Sequence, residues 1–283
     1  VPARSSSTPL LLEFNMNHAH PRLKSITLAA GLAMAAPHAL AQGFDTVRLT
    51  SAAPGASGGT VGGAVFITDE YQGSDQRRTQ FLPVIDYQWA NGWFAGVTNG
   101  IGVNFSDAPQ NQYGLRLTVD RGRRQDRASS LRGMGDVDAA AEGGVFFNHT
   151  LSPGLVLNSS VRIGAGDQHK GLVVDLGVGY STEIAPRWYL STDAGLTLVN
   201  ARYMRSFFGV SEDQSVASGY ATYRPGSGAR DLRARLALTY AINPKTSLTA
   251  AVSASSLVGD AKASPLTQRR TSESGAVAIR YAF

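Results

Sequence analysis

The chain has no cysteine, which excludes disulfide staples, thiol nucleophiles and thiolate metal sites. Histidine is scarce, five in 283 residues, and the two beyond the N-terminal leader, His149 and His169, are isolated from one another, so no metal-ligand spacing exists. Charged residues make up 17% and balance to +5, too little and too scattered for a nucleic-acid face. Beyond the N-terminus there is no run of about eighteen apolar residues, which excludes a helical membrane span, and no long helical period. None of this argues against a membrane β-barrel, whose strands average to near-neutral hydropathy because every second residue faces the lumen. The mean hydropathy of -0.11 fits that case and fits a soluble protein equally.

What the chain does have is alternation. In 171–183, Leu172, Val174, Leu176, Val178 and Tyr180 fall on every second position, with Asp175, Gly177, Gly179 and Ser181 between them. After a break at Ile184-Ala185-Pro186-Arg187, the stretch 187–199 places Trp188, Leu190, Thr192, Ala194, Leu196 and Leu198 on one face. Two period-two runs around a short Pro-containing break predict a hairpin. Each run has roughly ten residues or more, about what a tilted membrane-spanning strand needs. The unit recurs, giving twelve strands at 60–68, 79–89, 92–98, 100–106, 112–121, 137–149, 154–164, 171–183, 187–199, 230–242, 246–257 and 272–283. The fold expected is an all-β, antiparallel, up-and-down transmembrane barrel of twelve strands.

The segment before these strands reads as a leader. His18, Arg22 and Lys24 form a basic start, Ile26 to Ala36 an apolar core, and Ala39-Leu40-Ala41 a cleavage site before Gln42, the order of a secretory signal peptide over 16–41. Met16 is then the natural start and 1–15 an upstream extension. The Gly/Ser-rich stretch 42–59 reads as a periplasmic lead-in to a barrel over 60–283.

Two patterns carry the membrane reading. Alternate connections are tight and rich in Pro, Gly or Asn, as at Ala90-Asn91, Ser152-Pro153-Gly154 and Asn243-Pro244-Lys245, while most of the others are longer and polar. Short periplasmic turns and long outer loops are the outer-membrane pattern. When the apolar-rich face of each strand is assigned to lipid, Asp86, Arg116, Asp120, Glu142, Arg162, Asp175, Asp193, Arg233, Arg235 and Arg280 all fall on the opposite, lumen-lining face. A charge facing lipid at mid-depth costs a few kcal/mol, so segregation is what a bilayer demands. The last strand ends Val277, Ile279, Tyr281, Phe283 on one face, and Tyr281 with Phe283 resembles the C-terminal signal read by the barrel assembly machinery. Trp89, Trp93, Trp188, Tyr87 and Tyr240 lie near the short turns, where an aromatic girdle meets the outer-membrane lipid.

Several loop segments carry a family resemblance. They are Glu70-Tyr71-Gln72-Gly73-Ser74, Leu131-Arg132-Gly133-Met134-Gly135-Asp136, Phe207-Phe208-Gly209-Val210 running on to Gln214-Ser215 and Ser218-Gly219, and Leu257-Val258-Gly259-Asp260-Ala261 followed by Ser264-Pro265, with Tyr281-Ala282-Phe283 at the end. In this order they resemble the MipA/OmpV family of outer-membrane proteins, over nearly all of the mature chain, with Phe207-Phe208 standing where Tyr-Phe is expected. The resemblance implies an outer-membrane barrel. Its MipA side implies interaction with MltA, a lytic transglycosylase of the murein sacculus, and a scaffold role bridging that hydrolase to a penicillin-binding murein synthase. OmpV-type relatives are described mainly as surface or osmotically responsive proteins. No contact residues carry over.

Other functions weigh against this one. A barrel hydrolase would need a nucleophile and a base in reach; Asp167 and His169 can be drawn as a dyad but read as exposed loop polars, and no catalytic, metal or cofactor residue is assigned. The luminal charges allow a small-solute channel, in which they set selectivity, or a plugged barrel, in which they pair across the lumen. Twelve strands lie between filled and open barrels, so both remain. The long loop 200–230, with Phe207, Phe208, Tyr220 and Tyr223, is open to three roles: plug, contact surface or ordinary loop packing.

Overall fold

The computed structural model describes Leu49, residues 55–165 and residues 171–283. The leader, most of the lead-in and the Asp167/His169 pair lie outside them. Twelve strands form one closed barrel in which each strand is antiparallel to its neighbours in sequence and β1 closes onto β12. They are β1 (Gly58–Asp69), β2 (Arg77–Gln88), β3 (Trp93–Gly96), β4 (Gly100–Asn104), β5 (Asn111–Asp120), β6 (Ala140–Ser152), β7 (Leu155–Gly164), β8 (Leu172–Ala185), β9 (Trp188–Val199), β10 (Gly228–Ala241), β11 (Thr246–Leu257) and β12 (Thr271–Ala282). No described helix is long and apolar enough to cross a membrane.

Alternation becomes inside and outside. Val161, Ile163, Leu232, Leu236, Leu238, Val277, Ile279 and Tyr281 are exposed on the outer surface. The residues between them are buried, because in a closed barrel the inner face looks across at other strands. The aromatic residues gather at the short-turn end: Tyr87 meets Trp89 edge-on at 4.8 Å, Trp188 meets Tyr240 at 4.8 Å, and Phe283 stacks on Tyr87 at 6.1 Å. Phe283 also exchanges two backbone hydrogen bonds with Gly59, 3.0 and 3.1 Å, so the last residue of the chain finishes the closing seam.

β3 and β4 are shorter than the seven residues each that the pattern predicts. They form a stub of four and five residues whose ladder to β2 ends at Asp86↔Gly96, one further bond running from the Val97 N–H to the Ile85 carbonyl. The cause is local. Gly100 turns the chain with φ +74°, a conformation that favours glycine. The Asp86 carboxylate accepts hydrogen bonds from Thr98 and Asn99 and ties the tip of the stub to the inner wall.

The long loops are not irregular. Residues 200–227 fold into α1 (Ala201–Phe208) and α2 (Glu212–Ser218), and α3 (Gly259–Ala263) lies between β11 and β12. Asn200 caps α1 through the Tyr203 N–H, and Ser211 with Gln214 forms a capping box on α2, the S-x-x-Q signature of a helix start. Tyr203, Met204 and Phe208 of α1 pack on Val173, Val199, Leu257 and Ala261. Met134, Val210 and Leu266 form a second buried group with Tyr220 and Tyr223 against it. The outer loops therefore share a small apolar core and cap the mouth.

The β1–β12 seam gives a test of closure. A Cβ on Gly62 would lie 2.0 Å from the Ile279 carbonyl oxygen, whereas one on Gly143 would meet nothing within 4 Å. Gly62→Val is expected to abolish the compact, fast-migrating form on unheated SDS gels, and Gly143→Ala to leave it intact.

Candidate functional site

The inner wall divides along the barrel axis. Towards the short-turn end it is mostly hydroxyl- and amide-lined: Thr60, Gln88, Asn148, Asn158, Ser191, Thr239 and Thr249 are buried there. The Thr239 and Thr249 hydroxyls lie 2.8 Å apart, as a cross-strand pair. Leu49 sits inside this end against Phe94 and Phe146, its carbonyl accepting from Gln112 Nε2 at 3.0 Å. Beside Thr60, Asp86 and Arg280 are buried at the same short-turn end, and from mid-height towards the loop end the wall is ionic. There Arg116, Glu142, Arg162, Asp175, Asp193 and Arg235 are buried, Arg233 keeps only 8% of its side chain exposed, and Asp120 is half-buried.

Asp175 on β8 is the centre of the ionic part. Its Oδ2 accepts from Arg162 at 2.9 Å and its Oδ1 from Arg233 at 2.7 Å, with the Thr197 hydroxyl donating to the same Oδ1 at 2.7 Å. Arg162 also donates to Glu142 at 2.5 Å. Arg233 lies 2.9 Å from Asp231, which in turn accepts from Arg230 at 2.5 Å. Arg233 hydrogen-bonds Thr197 as well. Three carboxylates and three guanidiniums thus form one chain around the inner wall from β6 to β10. Each charge is matched by opposite charges, the condition under which burial of ions is tolerated.

The chain of charges continues into the cap. Arg230 donates to the Tyr203 hydroxyl at 2.6 Å, with its guanidinium 5.3 Å from the Tyr203 ring centre. Burial pushes the Tyr203 phenol above its ordinary range, Arg230 pulling the other way, so it stays a neutral hydrogen-bonding partner. Arg123, in the loop after β5, donates to the Phe207 carbonyl at 2.8 Å, and burial lowers its pKa to about 10. The cap is therefore latched to the lumen at Tyr203 and to the neighbouring loop at Phe207.

Of the charges singled out from sequence, Glu142, Arg162, Asp175 and Arg233 come together in this one network. Arg235 pairs separately with Asp193 at 3.6 Å, and Arg280 lies beside Asp86 on the other side of the barrel, donating to Thr60 at 3.2 Å. Asp120 accepts from the Gly122 N–H at 2.7 Å, a turn contact. Sequence reading missed Asp231 and Arg230. Asp231 has the same parity as Arg233 and Arg235 and was legible. Arg230 has the opposite parity and is buried only because a bulge at Ala229/Asp231 in the β9–β10 ladder turns two successive residues inward. His149 is engaged with Asn111, Nδ1 to Oδ1 at 2.7 Å, and stacks on Phe147. Among the described residues no group of three His, Cys, Asp or Glu could hold a metal.

Comparison with known proteins gives the family. The model described as MltA-interacting protein MipA matches residues 61–283. Among solved structures, the NanC porin is 11% identical over 79% of this chain and 98% of its own, with a TM-score of 0.45. An outer membrane channel from Pseudomonas putida F1 is 12% identical over 82% and 97%, TM-score 0.44. The Pseudomonas putida toluene transporter TodX is 11% identical over 87% and 96%, TM-score 0.38. At these TM-scores the structural likenesses add nothing to the assignment, and no curated protein matches. The family match runs from within β1 to Phe283, nearly all of the closed barrel. This chain belongs to the MipA family and is an outer-membrane β-barrel of a Gram-negative bacterium.

Proposed function

We propose that the barrel is a non-catalytic scaffold that holds a lytic transglycosylase of the MltA kind, and with it a penicillin-binding murein synthase, at the inner face of the outer membrane. The observation that supports this reading is the state of the lumen. Its central charges are bound to one another around Asp175 beneath a folded cap. A selectivity filter needs charges that face a passing ion or solute, and here each is turned to a neighbour. The same pairing argues against the small-solute channel in which Asp86, Arg116, Asp120, Glu142, Arg162, Asp175, Asp193, Arg233, Arg235 and Arg280 would line an open path. A barrel that passes nothing acts through its surfaces, and those nearest the murein are the short periplasmic turns.

One of those turns is strained. Arg187, between β8 and β9, has φ +72° and is the non-glycine residue with positive φ among the described residues. A side chain in that region costs about 1 kcal/mol relative to glycine, and strain kept at an exposed position points to a role for the side chain. We assign Arg187 as a contact of the murein enzymes. Tyr281 and Phe283 are proposed to serve the barrel assembly machinery, which the exposed terminal ring, 58% accessible, is placed to meet.

Three outcomes are expected. The refolded chain shows no stable single-channel conductance in a planar bilayer; a conductance whose ion selectivity shifts in Arg233→Ala overturns the closed-barrel reading. Asp175→Ala removes a carboxylate from between Arg162 and Arg233 and lowers stability by about 3–5 kcal/mol, read as unfolding in guanidinium of the micelle-held barrel by tryptophan fluorescence. The full chain, immobilised, retains a purified transglycosylase of the MltA kind. Arg187→Gly weakens that retention without loss of the compact gel form; absence of retention by the unaltered chain removes the scaffold reading.

A further inference from the structure

The wall has a notch on its outer-leaflet half. β2 runs twelve residues, but only its Asp86, Tyr87 and Gln88 pair with β3. Residues 77–84, about 25 Å of strand, rise beyond the stub, while on the far side β5 pairs with β4 only as far as Leu117. The bonds that β2 and its continuation make towards β3 leave from odd-numbered residues, the Ile85 carbonyl and the Trp89 N–H. The backbone groups of Thr79, Phe81 and Pro83 therefore face the gap. Proline has no N–H and is accommodated on edge strands, and Pro83 stands on this edge. An open sheet edge in hydrocarbon must be covered.

Three features indicate what covers it. At the outer rim of the notch, Arg121 and Arg127 lie close enough to Arg78 to repel it, and Glu70, 3.9 Å away, is the neighbouring counter-charge. With Arg124 paired to Asp126 beside Arg127, four guanidiniums to two carboxylates leave an excess of positive charge facing the outer surface. Below them Phe81 projects outward, 70% exposed. Behind the edge the inner wall is apolar: Leu82 and Val84 of β2 pack with Ala64, Phe66, Ala276 and Ala278, in contrast to the ionic wall from β6 to β10. Anionic head above, apolar surface below and a gap between them describe the chemistry of one ligand class.

We propose that the notch is a lateral docking site for a phosphorylated outer-leaflet lipid, its phosphate held by Arg78, Arg121 and Arg127 and an acyl chain laid along the unpaired edge of β2 over Phe81 and Pro83. The site is separate from the periplasmic turns and from the scaffold reading. Single-occupancy lipid binding follows from one such gap among the described strands, in contrast to the general lipid annulus of a barrel.

The test uses the full chain reconstituted with phosphatidylcholine containing either lipid A or its dephosphorylated form, with bound lipid read by native mass spectrometry after detergent release. One lipid A per barrel is expected to survive release, and the dephosphorylated form to be lost. Arg78→Gln/Arg121→Gln/Arg127→Gln is expected to lower retention about tenfold or more, since each basic residue at a membrane surface adds to the attraction for anionic lipid. Arg224→Ala, in the cap, leaves retention unchanged. Glu70→Gln, which removes the counter-charge, raises it, a direction that a purely structural role would not give, and this variant with the single Arg127→Gln decides the matter if the triple variant does not reach the compact gel form. Equal retention of both lipids, retention unchanged in a folded triple variant, or displacement of the lipid by inorganic phosphate alone overturns the proposal.

Discussion

A sheet inside hydrocarbon cannot leave its backbone groups without partners, and almost everything in this barrel follows from that constraint. Closure has to be made between the first and last strands, so β1 carries glycine where β12 comes closest. Gly62 sits under the Ile279 carbonyl, and Gly59 is hydrogen-bonded to Phe283. The same demand fixes the register, because a slip of one residue would carry Arg280 to the lipid side and Ile279 to the lumen. Sequence, seam and membrane are here one problem: the last residue both finishes the ladder and stacks its ring on Tyr87 in the girdle.

Moving charge out of lipid creates a second problem inside. Ionic side chains from β6 to β10 face a confined lumen, and they are tolerable there only as a matched set. Asp175 does the matching for three strands, joining Arg162 of β7 to Arg233 of β10 and accepting from Thr197 of β9. The network therefore works as a circumferential tie that crosses the ladders at right angles to the strands. Its extension to Tyr203 through Arg230 fastens the outer cap to the same tie. Rigidity of the upper lumen and closure of the mouth share one set of contacts, so a change that frees the charges would also release the lid.

The alternation made the fold legible. Two-residue periodicity with charges confined to one parity is hard to produce except by a two-faced wall, and the turn chemistry at Pro153-Gly154, Pro186-Arg187 and Asn243-Pro244 set the strand count. The luminal charges were legible for the same reason, down to Asp175 and Arg233. Parity could not reveal Arg230, since a bulge is a local backbone event that shifts one residue without altering the residues on either side. Nor could it give the length of β3 and β4: Val97, Ile101, Val103 and Phe105 alternate with small residues whether or not a partner strand is present to pair with them. The helices of the cap are short, below the window in which amphipathic periodicity can be read. Asn200 and the Ser211 to Gln214 capping box were the signals available, and they announce only where a helix starts.

The short stub and the paired lumen are two answers to the same question of what may cross this wall. Along the axis the charge network and the apolar core of the cap lie one above the other. Sideways, the wall is thinned at one place only among the described strands, in the half nearest the cell surface. There the neighbouring inner face is apolar instead of ionic. Were the stub as tall as its neighbours, β2 would be covered by peptide and Pro83 would interrupt a ladder, a position proline rarely takes. The stub is held down by Asp86, whose carboxylate binds Thr98 and Asn99 at its tip. A buried acid that could have served the axial path is thus committed to shaping the lateral one.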